Sequence, residues 1–145
     1  MHMHIVFATK DRRHFLQNPQ LRLGLYAYLN GVCQGLGSRG EITIGGISDH
    51  MHLSVDLPRT LAGADYIREI KKAGTTWIRE QPQGIPEFAW QKGYGIFSVS
   101  YSQLAKVNRY VLSQEEHHLK QPFEVEFIQL LKKHKMAYDE ATVWD

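Results

Sequence analysis

The chain opens "MHMHIVFATK", and its residues 2–10 form an apolar, β-branched run without a breaker, which predicts a strand. In "NPQLRLGLYAYLNGVCQGLGSRG" that follows, Asn18 is a natural N-cap and Pro19 suits the first helical position. The helix should end at the glycines Gly35–Gly37. "GEITIGGIS" and "HMHLSVDLP" are strand-like runs close in sequence, so an antiparallel pair is the simplest arrangement. Thr60 can cap a second helix over residues 61–81, with Leu61, Ala64, Ile67, Ile70 and Gly74 at roughly helical spacing. "QPQGIPEF" is a loop, and "WQKGYGIFSVS" supplies a fourth strand over residues 90–100. The order β-α-β-β-α-β predicts an α+β, ferredoxin-like split βαβ domain: one antiparallel sheet with two helices on one face. Two more helices are expected after this core, at residues 102–117 and 122–136, within a single domain spanning 1–145.

"SDHMHLSVDL" is the most regular stretch. Met51, Leu53, Val55 and Leu57 take one parity, and His50, His52, Ser54 and Asp56 take the other. That is the period of a half-buried strand, apolar inward and polar outward, and it points both imidazoles the same way. A rise of about 3.3 Å per residue sets them about 6.5–7 Å apart along the strand. Imidazole arms can converge from there on one divalent ion at about 2.1 Å. Spacing alone leaves open whether they are metal ligands or ordinary polar residues. The chain carries a second pair of the same spacing, His2 and His4, at its start and with no evident supporting neighbour. That pair is expected to be dispensable.

On the third helix, "SQLAKVNRYVLSQEEHH", Leu104, Val107 and Val111 form an apolar stripe. Gln103, Lys106, Tyr110, Gln114 and His117 form a polar stripe beside it, with Tyr110 and Gln114 one turn apart. A tyrosine at such a boundary can equally be a packing residue with its hydroxyl in water.

Composition narrows the classes. Of 145 residues, 43% are hydrophobic and 22% charged, and one is cysteine, Cys33. An internal disulfide framework and a cysteine-based zinc cluster are thereby excluded. No apolar run reaches membrane-span length, and no signal segment opens the chain, so the cytoplasm is the default address. Net charge is only +2, but it is unevenly spread. Residues 1–114 hold 13 Lys/Arg against 8 Asp/Glu, and residues 115–145 hold 4 against 7. Lys10, Arg12 and Arg13 follow the first strand, and Arg68, Lys71, Lys72 and Arg79 share the second helix. These are the candidate contacts to a polyanion, although a solvated surface explains them as well.

"HMHLSVDL", "WQKGYGIFSVS" and "NRYVLSQEEHH", in this order and spacing, resemble the single-tyrosine HuH transposases. These are the IS200-like insertion-sequence enzymes and the REP-associated tyrosine transposases. The opening "HIVFATKDR" and the closing "FEVEFIQLLKKHKMAYDE" fit too, so the likeness covers nearly the whole chain. Members usually carry several residues before "HIVF", and here the chain differs. The resemblance implies cleavage and rejoining of single-stranded DNA, with a hairpin as the recognised form, in the cytoplasm of a bacterium or archaeon near its nucleoid. It implies metal ligation by His50 and His52, completed by Gln114 as a neutral oxygen ligand, with Mg²⁺ or Mn²⁺ as the ion. Tyr110 becomes the nucleophile, forming a 5′-phosphotyrosine and freeing a 3′-hydroxyl. No carboxylate is needed as a ligand, and Asp49 could either orient an imidazole or be a turn residue. Family members commonly form homodimers, so one is expected, with the tyrosine acting in cis or in trans.

A second class of function is a non-catalytic binder of single-stranded nucleic acid built on the same sheet, using exposed aromatics and basic flanks. It gives no role to paired imidazoles or to Tyr110 beside Gln114. Tyr94, Tyr101 and Tyr138 lack a glutamine one helical turn later and are expected to be dispensable for cleavage. His117 and His118 read as helix-end residues facing the dipole.

Overall fold

The computed structural model describes residues 1–118, 121–139 and 143–144, with the side chains of His117 and His118 outside the description. Four strands form one sheet: β1 His2–Ala8, β2 Thr43–Ile47, β3 His50–Asp56 and β4 Gly95–Ser98. Their spatial order is β2-β3-β1-β4, with every pairing antiparallel. Helices α1, Pro19–Gly35, and α2, Gly63–Glu80, complete the expected β-α-β-β-α-β core. Asn18 caps α1 as expected, its side chain accepting from the backbone N–H groups of Gln20 and Leu21. Thr60 does not cap α2; the helix begins at Gly63 with Ala62 at the cap and no side-chain hydrogen bond there. The fourth strand is shorter than its sequence run, because residues 90–94 leave the sheet after one bridge between Thr9 and Trp90.

Alternation sorts β1 and β3 onto two faces. Met3, Ile5 and Phe7 of β1 join Met51, Leu53 and Val55 of β3 against Leu25 and Leu29 of α1 and Ile67 and Ile70 of α2. The opposite face carries His4, Val6, Ala8, His50, His52 and Ser54, and the register sets Val6 opposite His52 and Ala8 opposite His50. This face was expected to be open to water. Instead six of the seven β3 residues are buried, both histidines included, because further helices cover it. Phe123, Phe127 and Leu131 of helix α5, Phe123–Lys133, pack on Val6, Ala8 and Phe97.

The expected helix at residues 102–117 is divided. A 3-10 turn at Tyr101–Gln103 leads into α3, Leu104–Leu112; Ser113 breaks the path at φ −100° and ψ 21°, and α4 follows as Gln114–His118. Helix α3 lies very close to β2. A Cβ on Gly45 would sit 2.1 Å from the Val111 carbonyl oxygen, so only glycine permits this approach. That contact brings Tyr110 over the imidazole face.

Candidate active site

His50 and His52 are both fully buried, and their Nε2 atoms turn toward one carboxylate, that of Glu126 on α5. His52 Nε2 lies 3.0 Å from Glu126 Oε1, and His50 Nε2 lies 3.5 Å from the same oxygen. The ligand atoms of His50, His52 and Glu126 fall within 4.8 Å of one another. Gln114 joins them: its Oε1 is 3.0 Å from His50 Nε2, and its amide donates to the Tyr110 carbonyl. The Tyr110 hydroxyl donates a short hydrogen bond to Glu126 Oε2. One oxygen of Glu126 thus faces the imidazoles and the other faces the phenol.

The far ring nitrogens are held as well. Asp49 Oδ1 accepts from His50 Nδ1 at 2.8 Å, and His52 Nδ1 shares a 2.8 Å hydrogen bond with His4 Nε2. Such partners fix which nitrogen carries the proton and which is turned toward the site. His4 is therefore no idle duplicate of the HuH pattern. It is buried, stacks on His52 with ring centroids 5.1 Å apart, and belongs to the network. His2 shares a 2.7 Å hydrogen bond with Ser54 at the edge of this group.

Burial sets the electrostatics. For His50, burial favours the neutral ring, but hydrogen bonds to Asp49 and Glu126 and the charges of both outweigh it, raising the pKa to about 9. His4 is pushed well below the usual imidazole range by burial and by the nearby His52. Tyr110 is pushed well above the usual phenol range, first by burial and then by the negative charge of Glu126. Without a cation the site keeps the phenol protonated.

Two imidazole nitrogens and one carboxylate oxygen are a donor set suited to a divalent ion, and both rings are already oriented. The residues fit the ion expected from the resemblance, with one addition to the donor set. A carboxylate, Glu126, lies in the cluster, where the resemblance needed none. Sequence reasoning missed it, although a signal exists: Glu126 sits among Phe123, Phe127 and Leu131 on the buried stripe of α5. An acid placed in an apolar stripe signals a buried partner.

The basic residues divide. Lys71 does not offer its ammonium to solvent: it donates to the carbonyls of Gln91, Lys92 and Gly93, and burial lowers its pKa to about 8. It holds the loop before β4. Arg12 pairs with Glu124 on α5 at 2.6 Å and lies over the Trp144 ring. Arg68 pairs with Asp65 of its own helix, and Arg13 lies over Phe15. Lys10, Lys72 and Arg79 are exposed.

Two buried imidazoles from one strand and the tyrosine hydroxyl thus meet on one carboxylate beside a four-stranded antiparallel sheet. Residues 1–114 match the family model of IS200-like transposases, and the chain belongs to that family. Two solved structures share the fold. A candidate transposase from Deinococcus radiodurans R1 aligns over 77% of this chain and 88% of its own, with 21% identity and a TM-score of 0.58. A REP-associated tyrosine transposase bound to a REP hairpin aligns over 76% of this chain with 20% identity and a TM-score of 0.54. This chain spans 63% of that second protein. No match was found among curated proteins.

Proposed function

We propose that this transposase cuts and rejoins single-stranded DNA through a covalent Tyr110 intermediate, using a divalent ion held by His50, His52 and Glu126 with Gln114 beside them. The meeting of the Tyr110 hydroxyl and the two imidazole Nε2 atoms on the two oxygens of Glu126 carries this proposal. The ion, Mg²⁺ or Mn²⁺, would polarise the scissile phosphate and offset charge on the leaving oxygen. Imidazole ligands favour Mn²⁺ over Mg²⁺.

The chain's own groups supply the rest. Glu126 Oε2 accepts the phenol proton as the Tyr110 oxygen bonds to phosphorus; the bond from phosphorus to the 3′-oxygen breaks, and that oxygen leaves as a 3′-hydroxyl after taking a proton. Reversal with a new 3′-hydroxyl rejoins the strand. Asp49 and His4 hold the rings so that Nε2 of each faces inward. A hairpin remains the proposed DNA form. The test is incubation with end-labelled single-stranded DNA and Mn²⁺, followed by separation under denaturing conditions. A covalent protein–DNA band is expected, and its absence with hairpin substrates would overturn the proposal.

Glu126→Gln keeps the side chain's shape and removes its charge. Mn²⁺ affinity, read by titration calorimetry, should fall by at least about tenfold, with cleavage falling alongside. An unchanged affinity would remove Glu126 from the ligand set.

The expected homodimer is kept as a proposal, with the tyrosine acting in cis, since the Tyr110 hydroxyl reaches the Glu126 carboxylate of its own chain. Mixing a His50→Ala/His52→Ala chain with a Tyr110→Phe chain should then restore no cleavage. Restored cleavage would mean that subunits exchange their tyrosine helices.

The sheet-surface binding alternative loses its platform. One sheet face is covered by α1 and α2 and the other by α3 and α5 among the described residues, so no open aromatic face is left for bases to stack on.

A further inference from the structure

A cleft of about 530 Å³ lies between α3 and α5, and Tyr110, Glu126 and His4 are among the residues that line it. Its size is within the range of about 300–1,000 Å³ typical of small-molecule pockets. Lys106 and Val107 of α3 and Gln103 of the 3-10 turn before it line the cleft, one and two turns before Tyr110; Gln129, Leu130 and Lys133 line it from α5, one and two turns after Glu126. Both sets follow the i, i+3, i+4, i+7 spacing of a single helical face. Each side of the cleft, α5 on one and α3 with its leading turn on the other, therefore presents one amide, one ammonium and one branched aliphatic group to the same space, in addition to its residue at the chemistry.

That combination suits a particular kind of ligand. A flat ring is accommodated between aliphatic walls, primary amides offer both a donor and an acceptor to its edge, and ammonium groups match phosphate oxygens. Among the described residues neither Lys106 nor Lys133 is paired with a carboxylate. Tyr110 and Glu126 line the same cleft, so whatever fills it lies beside the groups proposed to act on the phosphate. A paired duplex is too wide for it, whereas an unstacked nucleotide is of the right class.

We propose that the α3–α5 cleft binds one unpaired nucleotide adjoining the scissile phosphate, with its base between Val107 and Leu130, its edge read by Gln103 and Gln129, and its phosphate on Lys106 and Lys133. Selection of the cleavage position then depends on the protein at this nucleotide as well as on the shape of the DNA nearby. The proposal rests on the strand-transfer function above.

The experiment uses the full chain in EDTA and the four 2′-deoxynucleoside 5′-monophosphates at millimolar concentration, monitored by NMR on assigned glutamine side-chain amides. At least one nucleotide should shift the Gln103 and Gln129 amides saturably. Val107→Trp, which fills the cleft, should weaken that binding by at least about tenfold. Lys106→Ala/Lys133→Ala changes only exposed side chains and should weaken it similarly, so a misfolded tryptophan variant would not block the test. If none of the four shifts either amide, or if the lysine variant binds as the parent does, the nucleotide pocket is wrong. Because no cleavage is read, nucleotide binding without any covalent adduct would overturn the strand-transfer function alone. An adduct without nucleotide binding would overturn the pocket alone.

Discussion

Tyr110→Phe is expected to abolish both DNA cleavage and the covalent adduct, a loss of at least about a thousandfold, because the substitution removes the one oxygen proposed to attack phosphorus. The ring stays and α3 keeps its packing. DNA affinity should survive, since it depends on Lys/Arg contacts to phosphates and on DNA shape. Stability should not be untouched. A hydroxyl in water could be removed almost freely, but this one donates to a carboxylate that is 1% exposed, so its loss should cost about 1–3 kcal/mol in metal-free protein. Chemical denaturation checks that figure, and denaturing gels check the adduct. Tyr94→Phe, Tyr101→Phe and Tyr138→Phe should each retain cleavage; none of them stands on the polar stripe of α3 that carries Tyr110, and Tyr101 is 93% exposed. A 5′-linked adduct formed by Tyr110→Phe would assign the nucleophile elsewhere.

His50→Ala/His52→Ala should eliminate Mn²⁺ binding in calorimetry and metal-dependent cleavage with it. Strand alternation alone would let both rings go at little structural cost, since polar positions ordinarily face water. Here both are 0% exposed, and their loss strips Asp49, His4 and Glu126 of their imidazole partners in the interior. Removing one side of a buried charged pair typically costs about 3–5 kcal/mol, so the double variant should be measurably less stable and must be checked by circular dichroism. The two N-terminal histidines should separate sharply. His2→Ala should leave metal affinity unchanged, whereas His4→Ala should lower it by about 10–100-fold, because His4 orients the His52 ring. Equal behaviour of the two variants would reject that role for His4.

The third helix shows how far a residue pattern carries. Its spacing correctly puts Tyr110 and Gln114 near each other, yet they do not lie on one continuous helix. Ser113 interrupts it, and its hydroxyl and that turn's backbone N–H both bond the Tyr110 carbonyl, as does the Gln114 amide. The break lets Gln114 turn toward His50, 64 residues earlier in sequence. Lys71 illustrates the opposite case. Charge and helical placement mark it for phosphate, but three backbone carbonyls from a distant loop take all its donors.

Local chemistry is what the sequence by itself determined. Period-two alternation put His50 and His52 on one strand face, an asparagine followed by proline started α1, and the element order gave the α+β topology, because each depends only on neighbours along the chain. Tertiary structure decided everything that depends on which surfaces meet. It buried the imidazole face, joined His4 to His52 across two strands, and brought Glu126 to His52 over 74 residues of sequence. Glycine at position 45 admitted α3 near enough for Tyr110 to share that carboxylate. A short-range pattern records which way a side chain points from its own element. Whether water, a histidine or a carboxylate stands opposite is settled only when α5 folds back over the sheet to bury Phe123, Phe127 and Leu131, carrying Glu126 in with them.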